Sequence, residues 1–95
     1  METKHTPGPW SYWSGYNHVD KIEAQVTAED GDIVIASYNH LIAEGEANAK
    51  LIAMSPQLLL ALVDAVTIFR GLVDVMPVLR ERVEAYDNLI AKATA

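Results

Sequence analysis

The strongest constraint on the fold is an apolar stripe with heptad spacing in the second half of the chain. Steps of four and three residues alternate without interruption over five heptads. Such a stripe predicts helices that pack against a partner helix along one side. Its members are Leu58, Leu62, Ala65, Phe69, Leu72, Met76, Leu79, Val83, Tyr86, Ile90 and Ala93.

Proline and glycine divide this helical region. Ser55 suits an N-cap and Pro56 a first helical turn, so we predict a short helix from Glu46 that breaks there and a longer one over about 57–70. The longer helix is predicted to be buried on more than one side, because few polar residues interrupt it: Gln57, Asp64, Thr67 and Arg70.

Beyond Gly71 two interpretations remain open. The helix continues with a kink at Pro77, or it breaks within 71–75, with Asp74 capping a last helix and Pro77 in its first turn. We favour the break, because glycine followed by aspartate and proline is a common stop and start signal for helices.

The first half predicts β structure. Trp10–Trp13 reads as a short strand, and an alternating segment reads as a half-buried strand with Ile22, Ala24, Val26 and Ala28 on one face. Asp30-Gly31 supplies a hairpin turn. The apolar run 33–36 then predicts a strand more buried than its partner.

We therefore predict an α+β fold. A small antiparallel β-meander of two or three strands (1–40) is followed by two or three α-helices forming a helical hairpin (45–95), in a single domain over 1–95. The hydrophobic fraction of 51% is high for so short a chain. This favours a homo-oligomer, a dimer or larger, formed through helices 57–93.

Charge and composition limit the partners. Residues 1–46 carry a net charge of −6, whereas 47–95 are neutral, which argues against binding to a nucleic-acid backbone. This charge distribution is compatible with binding of a single nucleotide. Cysteine is absent, so disulfides and thiolate metal sites are excluded. The N-terminus lacks the pattern of a secretory signal, and the longest apolar run, Leu58–Val63, is too short to span a bilayer. We expect a cytoplasmic protein without membrane association.

Catalytic and metal-binding patterns have little support. The spacing of His5, His18 and His40 matches no short metal motif, even with Asp20 or Asp32 added. The serines lack a nucleophile elbow, and the acidic residues of 29–32 are typical of a solvated turn. We expect no catalytic residues, no metal and no cofactor, and hence no enzyme.

Aromatic and cationic residues are the candidates for ligand binding. Four of the seven aromatic residues lie within 10–16, and aromatic faces can stack on any base. Packing of these rings in the core is the competing interpretation. The candidate ligand-binding residues are Tyr12, Trp13, Tyr16, His5, His18, Lys50 and Arg70.

The segment HTPGPW is interpreted as a structural plug. Pro7 and Pro9 stiffen it around Gly8, and Trp10 offers a large apolar ring. We expect the amide of Asn48, inside the first helix, to anchor its backbone.

HTPGPW and the later ANAKLIAMSPQLL resemble a widespread group of small phage and prophage proteins. These open with HTPGPW and continue to an ANA-(basic)-LIA-x-x-P-x-LL helix, so the resemblance covers residues 5–62. Ser55 stands where alanine is more usual in the group. The resemblance implies a bacteriophage origin and action in the cytoplasm of the infected bacterium, and no residue roles can be transferred from it.

Three functions fit a small, acidic protein of phage origin. The first is a counter-defence or host-takeover binder that sequesters a nucleotide-type immune signalling molecule in a pocket at an oligomer interface. The second is an acidic inhibitor that docks, as a phosphate decoy, on a host nucleic-acid-binding defence complex in the manner of an anti-CRISPR protein. The third is a purely structural phage oligomer.

Overall fold

The chain folds into a three-stranded sheet and two helices. A computed structural model describes residues 4–13, 24–29, 33–39 and 41–95. In order, the elements are β1 (Trp10–Trp13), β2 (Gln25–Ala28), β3 (Ile33–Ser37), α1 (Gly45–Leu72) and α2 (Leu79–Ala93). This confirms the predicted α+β class.

Two compact units divide the chain. The β unit is Thr6–Gln57, and the hairpin unit is Leu58–Ala95 together with Met1–His5. The first part of α1 thus belongs to the β unit and the second part to the hairpin unit. Folding as a single domain over 1–95 stays a prediction.

The strands form an antiparallel sheet in the order β1-β2-β3. Trp10 pairs with Ala28 and Tyr12 with Val26, while a bulge at Val26/Thr27 shifts the register toward β3. The predicted strands at 10–13 and 33–36 are confirmed. Ile22 and the predicted turn at Asp30-Gly31 lie outside the described residues.

Burial is greatest in β2, not in β3. Ala24, Val26 and Ala28 are at most 2% exposed, which confirms their predicted shared face. The prediction that 33–36 is the more buried strand is wrong, since Val34 is 52% exposed. The reason is position: β2 is the central strand of the sheet, whereas β3 lies at an edge.

The core of the β unit joins β2 to the first part of α1. Val26 packs with Ala49 and Ala53 of α1, and all three are at most 4% exposed. Half-buried side chains pack around them: Trp10, Ile35, Ala36, Tyr38 and Ile52. Ala49 and Ala53, with Gly45 before them, are spaced four residues apart and form one face of the helix. This face of small residues is the side of the helix that packs against Val26.

The predicted break at Ser55-Pro56 is wrong, because α1 runs through both residues. Pro56 has no backbone N–H to donate to Ile52, a loss that would normally disfavour a helix interior. Here Pro56 is buried, and Gly8 lies so close that a Cβ built on it would stand 2.9 Å from the Pro56 Cβ. The Ser55 hydroxyl donates to the Leu51 carbonyl at 3.0 Å instead of capping a new helix.

The favoured break after Gly71 is confirmed. α1 ends at Leu72 and α2 begins at Leu79, and the amides of Val75 and Met76 donate to the Leu72 carbonyl at 3.1 and 2.8 Å. The predicted capping is wrong, since the N-cap of α2 is Val78, which makes no side-chain capping bond. Pro77 precedes the helix, and its carbonyl accepts from the Arg80 amide at 3.1 Å.

The heptad stripe describes α2 better than α1. On α2, Val83 is buried and Leu79, Tyr86 and Ile90 are half-buried, as predicted. On α1 the buried residue of the hairpin unit is Val66, which lies outside the stripe. This part of α1 is apolar nearly all round, so sequence alone does not define which side is covered.

Because α1 continues through Pro56, it is longer than predicted. With 28 residues, α1 is long enough to span a membrane. Its most apolar window, of 18 residues, has a mean hydropathy of 1.9, which is the composition of a membrane-spanning helix. Of that window 17% is buried within the protein. Core helices of soluble proteins satisfy the same criteria, so the finding alone does not place α1 in a membrane.

A pair of glycine substitutions tests the close packing of α1. A Cβ at Gly45 would lie 2.6 Å from the Asn39 carbonyl oxygen, so we expect Gly45→Ala to destabilise the protein by about 1–3 kcal/mol. Gly71 has no atom within 4 Å of such a Cβ, so Gly71→Ala should stabilise the helix slightly, by about 0.5 kcal/mol. Urea unfolding followed by circular dichroism measures both, and equal effects of the two variants would contradict this packing.

Candidate functional site

A pocket of about 490 Å³ opens between β1 and the first part of α1. Its volume falls within the usual range for small-ligand sites. Aromatic, aliphatic and cationic side chains line it: Trp10, Ser11, Tyr12, Lys50, Ala53 and Met54. All six belong to the β unit.

Strand pairing and helix periodicity place these residues. Trp10 and Tyr12 alternate on β1, so both rings lie on the face that carries Val26 and Ala28 of β2. Lys50 and Met54 are one turn apart on α1. The pocket therefore has two rings on its strand side, and one ammonium group with a thioether on its helix side.

Trp10 belongs to both the core and the pocket. Its ring is half-buried against the cluster of Val26, Ala49 and Ala53, and its Nε1 donates to the Thr6 carbonyl at 3.2 Å. The rest of HTPGPW approaches α1 through Gly8 and Pro56. That HTPGPW acts as a plug stays a prediction.

The contact between HTPGPW and α1 differs from the one expected. Asn48 is exposed, and its backbone amide donates to the Glu44 carbonyl at 2.8 Å within the helix. Among the described residues, no hydrogen bond is seen from its side chain to the plug. Pro56, which the sequence pattern marked only as a helix start, makes the contact instead.

Two predicted ligand residues lie away from the pocket lining. Trp13 occupies the opposite face of β1, is 42% exposed, and its carbonyl accepts from the Tyr38 hydroxyl at 2.8 Å. Arg70 lies in the hairpin unit, where both of its terminal nitrogens donate to the Asp87 carboxylate, at 3.0 and 2.8 Å.

This ion pair has a clear electrostatic effect. The hydrogen bond and the charge of Asp87 raise the pKa of Arg70, and the hydrogen bond from Arg70 lowers the pKa of Asp87. Arg70 is thus already occupied by an internal carboxylate. Both side chains are largely exposed, so the pair orients the two helices more than it stabilises them.

Of the remaining candidates, His5 is the one within the described residues. His5 is half-buried and is not part of the pocket lining. Tyr16 and His18 lie outside the described residues. Sequence reasoning missed Ser11, Ala53 and Met54, although the spacing of Met54 four residues after Lys50 was a readable signal.

A second cavity of about 320 Å³ lies beside the plug. It is lined by Pro7, Gly8, Pro9, Ser11, Thr27, Ala28 and Glu29. This lining has a carboxylate and no cation, so it suits an anionic ligand less well than the pocket at Lys50 does. Within the described parts of the chain, no group of three acidic or histidine side chains is placed to hold a metal ion.

The fold and the site define a small α+β protein with a cationic, aromatic pocket between sheet and helix. The chain belongs to the family described as Salmonella phage P22 protein Y8K6, whose family model matches residues 1–95. It is therefore a bacteriophage protein, which confirms the expected phage origin. No curated protein and no solved structure shows significant similarity to it.

Two tryptophan substitutions separate the plug from the exposed face of β1. Trp10→Ala removes a half-buried ring from the core, so we expect a loss of about 2 kcal/mol in the free energy of unfolding. Trp13→Ala, at an exposed ring, should cost less than half as much. Denaturant unfolding gives both values. A Trp10→Ala protein of unchanged stability would show that the plug does not support the fold.

Proposed function

We propose that this phage protein is a non-catalytic accessory binder that sequesters a nucleotide-type immune signalling molecule of the host, in the host cytoplasm. The observation that carries the proposal is the meeting of Trp10, Tyr12 and Lys50 at one pocket. The pocket is formed by one chain, so the ligand does not require a subunit interface as the sequence interpretation assumed.

The pocket lining offers binding partners for both the base and the phosphate of a nucleotide. Aromatic rings stack on a base irrespective of its identity, and Tyr12 is 37% exposed and accessible for this. The ammonium group of Lys50 suits a phosphate, since a charge-assisted hydrogen bond is stronger than a neutral one. Ala53 and Met54 supply apolar surface, and the thioether of Met54 adapts to an aromatic ligand.

The same lining favours binding over catalysis. The six lining residues include no carboxylate and no imidazole, the groups that most often act as general acids and bases. A protein that only sequesters its ligand needs affinity and abundance, and a small pocket with one cation serves that purpose.

Calorimetric titration tests the proposal on the full-length protein with cyclic dinucleotides, cyclic trinucleotides and ADP-ribose derivatives. We expect at least one to bind, and Lys50→Gln to weaken that binding by about 10- to 100-fold through loss of the charged hydrogen bond. Lys92→Gln, which removes an exposed ammonium group from the end of α2, is the matched control and should bind as the parent does. Absence of heat with every compound, or equal losses in the two variants, would refute the proposal.

Acidic surface supports an alternative proposal, inhibition of a host nucleic-acid-binding defence complex. Glu29, Glu44 and Glu46 are exposed in the negatively charged first half of the chain. Such carboxylates can imitate phosphates on a basic channel. A stoichiometric host protein captured at low salt and released at high salt, together with absence of nucleotide binding, would favour this alternative.

A further inference from the structure

The α1–α2 hairpin has two unlike faces. The contacts between Phe69 and Tyr86, whose ring centres are 6.4 Å apart, and between Arg70 and Asp87 set the two helices side by side. The Arg70–Asp87 pair lies on one side of the plane that contains both helices. From helix periodicity, the exposed Thr67 and Glu84 project to that same side. We call this side the polar face.

The opposite side, which we call the apolar face, is largely exposed and is formed mainly by apolar residues. On α1 it is formed at steps of three and four residues by Leu58, Ala61, Ala65, Ile68 and Leu72. The three large residues of this set are 51%, 57% and 38% exposed, in chain order.

α2 contributes to the apolar face through Leu89, which is 55% exposed, and through the exposed Ala85 and Ala93. Arg82, near the N-terminal end of α2, projects directly to this side, and two further charged residues border the face: Asp64, four residues before Ile68, and Lys92, three residues after Leu89. A contiguous apolar surface of this kind marks an interaction site.

We propose that the apolar face is a homodimer interface, in which the hairpins of two copies of this chain pack face to face as a four-helix bundle. This inference does not depend on the ligand proposed above, because every residue of the face lies in the hairpin unit. Bundles of this kind bury apolar stripes from each helix at their centre.

The apolar face is complementary to itself. The pairing of Phe69 with Tyr86 puts Leu89 at the level between Ala65 and Ile68. A two-fold axis parallel to the helices places α2 of one copy over α1 of the other at an unchanged level. Leu89 then faces the small Ala65 of the partner copy, so that a large side chain meets a small one.

Ala85 of one copy is complementary to α1 of the other copy in the same way. By the same pairing, Ala85 lies at the level between Ile68 and Leu72. In the dimer its methyl group faces the space between those two large side chains of the other copy. The alternation of large and small residues on each helix thus supplies both knobs and holes.

The area of the apolar face agrees with a small dimer interface. The 15 residues of α2 extend over about 22 Å. Two helices about 8–10 Å apart present a face about 20 Å wide. The projected area is then about 440 Å² per copy, and the accessible area, which follows each side chain, is larger. This places the interface at the lower end of the areas found for specific interfaces.

The charges of the hairpin favour a second copy of this chain, and not a lipid surface, as the partner of the apolar face. Helices that lie on membranes carry Lys and Arg on the side opposite their apolar face, but the polar face here carries acids as well as bases, and Arg70 is paired with Asp87. A spanning arrangement of α1 would detach α2 or bring charged residues of α2 into the bilayer, among them Glu81 and Glu84.

Sedimentation of the full-length protein over about 1 to 200 µM tests the dimer. We expect a concentration-dependent change from the monomer mass to twice that mass. Ile68→Glu on α1 and Leu89→Glu on α2 should each weaken dimerisation by at least about 30-fold. Leu60→Glu is the matched control, because Leu60 is 64% exposed but projects to the side of Thr67, and it should dimerise as the parent does. Circular dichroism checks that each variant is folded.

The following results would contradict the homodimer proposal. A parent protein that remains monomeric at the highest concentration, or that forms a larger assembly, overturns it. So does a Leu60→Glu variant that loses dimerisation as much as Ile68→Glu and Leu89→Glu do. A monomeric protein that floats with phosphatidylcholine or phosphatidylglycerol vesicles would assign the apolar face to lipid.

Discussion

The close packing of α1 on β2 is the contact on which the rest of the β unit depends. Val26 meets Ala49 and Ala53, and Gly45 lies close to the Asn39 carbonyl at the entry of the helix. Small residues on one side of the helix thus pack against the central strand. Lys50 and Met54, on the adjoining side, cannot enter this contact, and with the rings of β1 they form the walls of the pocket. The pocket is therefore a consequence of how the core is packed.

The contact between Gly8 and Pro56 joins two segments that are distant in the sequence. HTPGPW covers α1 at the residue where the helix lacks a backbone donor, and Trp10 closes the core beside it. A side chain at position 8 would displace the segment from the proline. We infer that the plug and the proline form one structural feature. The ligand, in our proposal, then meets the rings of β1 and not the prolines.

Parts of the fold and of the pocket could be predicted from the sequence. The features that were not predicted depend on tertiary contacts. Alternation identified the buried face of β2, and the covered side of α2 followed from its stripe because most of its other residues are polar. The interior position of Pro56 was missed because its burial under Gly8 is a tertiary contact. Tyr12 and Lys50 were both named as ligand residues, but their meeting at one pocket depends on strand pairing and helix packing that no local pattern contains.

The most direct test of the account is nuclear Overhauser spectroscopy on methyl-labelled full-length protein. The central claim is that the first part of α1 packs against β2 through Ala49 and Ala53. It predicts strong cross-peaks from the Val26 methyl groups to the methyl groups of Ala49 and Ala53. Val26 cross-peaks that reach only residues of the sheet would contradict it, and with it the pocket and the plug.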